Sequence, residues 1–83
     1  MTVDPVSGFG VALREGLLLL FGPDGSPAGE IVPPPGYAFS HLVETPERLL
    51  VVGQGEAAFE GWHDWHFAID ARAGTLHRAG PAY

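Results

Sequence analysis

The amino-acid sequence predicts a single all-β domain over residues 1–83, a small antiparallel sheet protein of about seven short strands joined in hairpins. Twelve glycines and eight prolines recur at intervals, as expected for turns between short strands. No window of eleven or more residues free of Gly and Pro keeps the apolar spacing of an amphipathic helix. Runs rich in apolar, β-branched and aromatic residues lie between the turns. This pattern is typical of blade-like sheets, small sandwiches and small barrels.

The first half of the chain contains three predicted strands. In the first of them, Phe9, Val11 and Leu13 share one face, because strand side chains alternate. The second is apolar at every position, which predicts burial on both of its faces. Three consecutive prolines lack N–H donors and predict an extended connector. In chain order the elements are a strand at 9–14, a turn at 15–16, a strand at 17–21, a turn at 22–27, a strand at 29–32 and a connector at 33–36.

The second half of the chain continues this order of strands and turns. Phe39 and His41 fall on one predicted face of their strand, since they are two residues apart. Residues 53–61 contain three glycines and predict a long, mobile loop. The elements are a strand at 37–44, a turn at 45–47, a strand at 48–52, the loop at 53–61, a strand at 62–70, a turn at 71–74, a strand at 75–79 and a tail at 81–83.

Composition and charge limit the classes of partner. The net charge is −6, and the four basic residues are scattered arginines, so the sequence predicts neither nucleic-acid binding nor anionic-membrane binding. The chain has no Cys to form a disulfide. Its first residues lack the pattern of a signal peptide, and its longest apolar run, Leu17 to Phe21, is too short to span a membrane. We therefore expect a soluble, cytoplasmic protein.

The strand at 62–70 has two chemically different faces. His63 lies with three apolar residues on one face, which predicts the core side. The other face presents Trp62, Asp64 and His66 together. The predicted core, collected over all strands, is Leu13, Leu18, Leu20, Leu49, Val51, Trp65, Phe67 and Ile69.

The register of the last hairpin decides whether a fourth side chain joins the polar face. In one register Ala68 lies opposite His77, which is then diagonal to His66 on the same face. A shift by one residue would break this proximity. The candidate ligand-binding residues are therefore Trp62, Asp64, His66 and His77.

Two interpretations of this polar face remain open. His66 and His77 have the chemistry of metal ligands, and Asp64 beside His66 is suited to acid–base catalysis. The alternative is a solvated sheet face with a half-buried Trp62 and hydrogen-bonded histidines. Because the sequence shows no preformed set of ligands, we assign no metal, no cofactor and no catalytic residue.

Two hairpin segments resemble those of known β-propellers. Residues 67–76 have an apolar strand with Ala68 and Asp70, a turn that ends in Gly74 and a short following strand. They resemble the inner hairpin of quinoprotein-type propeller blades, and residues 20–31 resemble the Asp-Gly hairpins of lactonase-like propellers. The segments 17–25 and 66–74 also look like a weak repeat. Independently of any family, Asp70 can accept N–H donors of its own turn, and Gly74 can take a positive φ.

The resemblance implies a sheet protein with open edges. A propeller needs about four blades, whereas a chain of this length can form at most two. Open edges favour pairing with another chain. We therefore expect an interaction module that forms a homo-oligomer through sheet edges or through the aromatic face that carries Trp62. The alternative is a small-molecule or metal-binding protein, with enzymatic activity left open, that uses the face formed by residues 62–77.

Overall fold

The computed structural model describes residues 1–82, so Tyr83 of the predicted tail lies outside the described residues. The chain forms two four-stranded antiparallel sheets, each with its strands in sequence order, and the predicted all-β class is confirmed. No helix in residues 1–82 is long and apolar enough to cross a membrane. The N-terminal sheet contains β1 (Thr2–Val3), β2 (Gly10–Arg14), β3 (Leu17–Phe21) and β4 (Pro27–Ile31), and the C-terminal sheet contains β5 (Tyr37–Glu44), β6 (Leu49–Phe59), β7 (Trp62–Asp70) and β8 (Thr75–Pro81).

The hairpin turns follow from local backbone chemistry. Glu15 and Gly16 both have positive φ, at 52° and 79°, as the turn between two right-twisted strands requires. The four-residue connection after Asp70 lies where the sequence predicts it, whereas the turn after Glu44 is one residue longer than predicted and includes Arg48. The two segments of the weak repeat are the third strand of each sheet with its following turn.

The prediction of a long loop at residues 53–61 is wrong. Strand β6 runs through Phe59, and the chain reverses in a two-residue turn at Glu60 and Gly61, whose φ values are 49° and 86°. The glycines mark close approaches within the sheet rather than the end of a strand. A Cβ on Gly53 would lie 2.8 Å from the Phe67 ring, and one on Gly55 would lie 2.6 Å from the His63 carbonyl oxygen.

A β-bulge in β5 separates two side chains that the sequence places together. Phe39 pairs with Gly53, whereas His41 pairs with Val52, so Ser40 is the extra residue. Phe39 packs against the core, and His41 is exposed on the opposite face of the sheet. The prediction that Phe39 and His41 share a face is therefore wrong, because a bulge interrupts the period-two alternation.

The core lies between the two sheets and joins their inner faces in one cluster. Seven of the eight predicted core residues are buried, and Leu13 is partly buried against them. Val11, Ile31 and Ala71 complete the cluster. Leu18 and Leu20 of β3 point into it, with exposed fractions of 0% and 3%.

The turn between β3 and β4 is held by Asp24. The hydroxyl and backbone N–H of Ser26 donate to Asp24 Oδ1 over 2.7 and 3.0 Å, and these hydrogen bonds lower the pKa of Asp24. Because the pKa is lowered in the folded state, this contribution to stability is present above the ordinary pKa of aspartate. It is lost as the pH falls through the lowered value.

We expect Ser26→Ala to raise the pKa of Asp24 toward its ordinary value, because one of the two donors is removed. An NMR titration of the side-chain carboxyl carbon measures the change. Ser40→Ala is the control and should leave the pKa of Asp24 unchanged. An identical Asp24 pKa in the wild type and in Ser26→Ala would contradict this account of the turn.

Candidate functional site

The polar face predicted on β7 forms in the register that brings His77 onto it. Ala68 pairs with His77, and His66 pairs with Gly80 after a bulge at Ala79. His77 therefore lies diagonal to His66 on the outer face of the C-terminal sheet. Asp64, two residues before His66 in β7, pairs with Gln54 on the same face.

Strand β6 lies between His41 and His66 on this outer face. His41 and His66 flank Val52 from the two neighbouring strands, a separation of about 10 Å between their backbones. Val52 is only 5% exposed. Within residues 1–82 no three His, Asp or Glu side chains group closely enough to hold a metal ion.

The predicted site residues also differ in their surroundings. Trp62 is 41% exposed near the tip of the β6–β7 hairpin. His63, on the predicted core side, is exposed, and its Nδ1 lies 3.3 Å from the Gly55 carbonyl oxygen. His77 is the member of the predicted set that lines a cavity, together with residues that the sequence analysis did not select. The four predicted residues thus share one sheet but do not converge in one pocket.

The cavity beside His77 has a volume of about 430 Å³ and lies at the end of the sandwich that carries the β5–β6 and β7–β8 turns. We call it the turn-end cavity. Antiparallel hairpins place alternate turns at the same end of a sheet, which brings Arg48 and Arg72 to one rim. Its polar lining is formed by Asp4, Ser7, Arg48, Asp70, Arg72 and His77.

One wall of the turn-end cavity is the loop between β1 and β2. Asp4 is only 2% exposed, and its Oδ2 accepts a 2.6 Å hydrogen bond from the Ser7 hydroxyl. Its backbone N–H donates to the Phe9 carbonyl, and its carbonyl accepts from the Gly8 N–H. These contacts fix a loop that carries little regular structure, so the wall is preformed.

Arg78 lies in a cluster of four aromatic rings, which we call the aromatic cluster. Its guanidinium carbon is 4.1 Å from the centre of the Phe59 ring and 4.6 Å from that of Trp65, and its Nη1 donates to the Tyr37 hydroxyl. Phe67 and Tyr37 lie at 5.2 and 5.4 Å. The cluster is not evident from the sequence because its members come from four different strands.

Truncation of Arg78 should destabilise the protein by about 1–2 kcal/mol, because the guanidinium packs on several rings and accounts for one hydrogen bond. Arg78→Lys should recover only part of the loss, since an ammonium group cannot stack as a plane. Urea denaturation followed by circular dichroism measures the change. Arg72→Ala, which removes an exposed arginine without ring contacts, is the matched control. Equal stability of the two alanine variants would contradict a stabilising role for the cluster.

The outer face of the N-terminal sheet is also apolar, which is unusual for an exposed surface. Leu17, Leu19 and Phe21 of β3 point outward and are half-buried. We call this surface the outer apolar face. The residues that share it, assigned from the strand register and, for Met1 and Val32, from alternation one residue beyond β1 and β4, are Met1, Val3, Ala12, Arg14, Leu17, Leu19, Phe21, Pro27, Glu30 and Val32.

Comparisons of this chain with protein-family models, with curated proteins and with solved structures found no match.

Proposed function

We propose that this protein is an interaction module that forms a homodimer through the outer apolar face. The observation that carries the proposal is that the N-terminal sheet is apolar on both sides, while one chain supplies only one covering layer. Leu18 and Leu20 are covered by the C-terminal sheet. Leu17, Leu19 and Phe21 on the other side remain open to a second layer.

Three of the four most exposed large apolar side chains support this choice of surface, and the fourth, Val6, lines the turn-end cavity. Met1, Val3 and Val32 have exposed fractions of 77%, 64% and 63%. Val3 belongs to the outer apolar face by its pairing with Gly10, and Met1 by its side chain against Gly10. Val32 follows the buried Ile31 at the end of β4, so alternation places it on the same face. A contiguous apolar patch on a small protein commonly marks a site of protein association.

The positions of the two charged residues on this face are compatible with a two-fold symmetric dimer. Arg14 lies on β2 and Glu30 on β4, on opposite sides of the central strand β3. A two-fold axis along β3 lays β2 of one copy over β4 of the second copy. Arg14 pairs with Leu17 and Glu30 with Leu19, so each Arg14 then lies two residues along the strand, about 7 Å, from Glu30 of the other chain, and two pairs of opposite charges face each other.

The sheet edges are less suited to pairing than this face. Strand β1 has two residues, and β4 contains Pro27 and Gly29, the latter with a φ of 137°. Strands β5 and β8 each contain a bulge. Short strands, proline and bulges all hinder the addition of a further strand. The proposed interface is therefore a face-to-face contact between sheets about 10 Å apart.

The size of the face predicts a reversible dimer. From strand spacing and length, four short strands cover on the order of 300 Å² per chain, below the area of a standard stable interface. We therefore expect the dimer to dissociate when the protein is diluted from about 1 mM to about 10 µM. Sedimentation experiments over this range of concentrations measure the dissociation.

Leu19→Glu should abolish the dimer, because it buries a charge at the centre of the apolar face. Ala38→Glu adds the same charge to the C-terminal sheet and should leave the dimer unchanged. Val32→Glu, at an exposed corner of the outer apolar face, repeats the test if Leu19→Glu fails to fold. Trp62→Ser tests the alternative aromatic surface. A monomer at every concentration, or a dimer lost only in Trp62→Ser, would refute the proposal.

A further inference from the structure

The turn-end cavity gathers a large share of the positive charge of an acidic protein. The chain has four Lys and Arg residues against ten Asp and Glu, and two of the four line this one cavity. His77 is one of four histidines in the chain and lies in the same lining. Such a concentration of donors is chemically suited to a negatively charged ligand.

The two arginines are carried by rigid turns. The Thr45 hydroxyl accepts from the Arg48 N–H at 3.0 Å and donates to the Arg48 carbonyl at 2.6 Å. Arg72 lies in a turn where Asp70 Oδ1 accepts from the Ala73 N–H at 3.1 Å. Fixed backbones reduce the entropy that the arginines would lose when they bind a ligand.

Neither guanidinium is held in an ion pair by the described residues, although the carboxylates of Asp4 and Asp70 line the same cavity. Among the described residues, the hydrogen bonds of Arg48 are those of its backbone, and no ion pair holds the Arg48 or Arg72 side chain. The acidic residues of the lining have other partners. Asp4 accepts from Ser7, and Asp70 accepts from its own turn. The donors of both arginines are therefore available to a ligand.

We propose that the turn-end cavity binds a small organic oxyanion, with Arg48 and Arg72 on the charged group and His77 beside it. A phosphate ester and a carboxylate share this chemistry, since both present paired oxygens that match a guanidinium. Ala68, Ile69 and Val6 of the lining give the body of the ligand an apolar contact surface. A volume of about 430 Å³ suits a small molecule.

Three small ligands that each contain one aromatic ring test the proposal: phenyl phosphate, benzoate and phenol. Amide chemical shifts are followed by NMR at a dilution where the chain is monomeric. At least one of the two anions should bind saturably and shift the amides of Val6, Ala68 and His77, and phenol should not. The tighter of the two anions identifies the oxyanion class.

Arg48→Gln and Arg72→Gln should each weaken the binding of that anion about tenfold, because a charge-assisted hydrogen bond is lost. Both side chains are exposed in turns, so the variants should remain folded. Arg14→Gln removes an arginine far from the cavity and should bind as the wild type does. The proposal is overturned if neither anion binds saturably, if phenol binds as tightly, or if Arg14→Gln weakens binding as much as the cavity variants do.

Discussion

Trp65→Ala should lose about 3–5 kcal/mol of unfolding free energy, a typical cost of truncating a large buried aromatic side chain. Trp65 is 6% exposed, packs edge to face on Phe59 at 5.6 Å between ring centres, and lies under Arg78. Its indole N–H donates to the Trp62 carbonyl at 3.0 Å. Because domains of this size are stable by only several kcal/mol, the variant should be largely unfolded at room temperature.

Circular dichroism and urea denaturation measure this loss, and the second tryptophan supplies the control. Trp62 is 41% exposed, so Trp62→Ala removes a ring of the same size that is not part of the core. We expect its cost to be well below that of Trp65→Ala. Equal melting temperatures for Trp65→Ala and the wild type would show that the inner face of β7 is wrongly assigned.

Gly55→Ala should also destabilise the protein, by about 1–3 kcal/mol, because the added methyl group has no space. The new Cβ would lie 2.6 Å from the His63 carbonyl oxygen and 3.0 Å from the Tyr37 ring. The first of these contacts is with backbone, which cannot rotate away as a side chain can. The β6–β7 pairing must therefore shift, and thermal denaturation should report the loss.

Gly80→Ala is the matched control for this prediction. A Cβ at Gly80 meets no atom within 4 Å, and Gly80 is not among the glycines with positive φ. Its stability should stay within about 0.5 kcal/mol of the wild type. If Gly55→Ala were as stable as Gly80→Ala, this result would contradict the close approach of β6 and β7 at Gly55.

The fold class could be predicted because turn chemistry is local. The turn at 15–16 and the turn closed by Gly74 each contain a glycine with a positive φ, 79° at Gly16 and 73° at Gly74. Asp70 accepts an N–H of its own turn, as predicted from its place in the hairpin. The resemblance of this hairpin to propeller blades remains a prediction, as does the single-domain assignment.

Features that depend on interactions between strands could not be predicted from the alternation pattern. A bulge at Ser40 moves His41 to the outer face, and nothing in the local sequence marks the extra residue. In the sequence the glycines of β6 predict a loop, whereas in the structure they allow close contact with Phe67 and His63. The two-residue strand β1 is too short to show any period.

The candidate site was predicted in part. The register that places His77 opposite Ala68 is present, and the outer face of β7 carries Asp64 and His66 as expected. The turn-end cavity was missed because Arg48 and Arg72 are 24 positions apart and meet only through the topology of the sheet. Scattered arginines in a sequence therefore do not exclude a shared anion site in the fold.

In the proposed homodimer a second copy of the chain covers the outer apolar face. Isotope-filtered NOE spectroscopy on a mixture of labelled and unlabelled chains, at a concentration where dimers form, tests it most directly. The proposed dimer predicts NOEs between chains from the Leu19 methyl groups to Leu17 or Phe21. Interchain NOEs confined to other surfaces, such as Trp62, or the absence of any NOE between chains at about millimolar concentration, would contradict the claim.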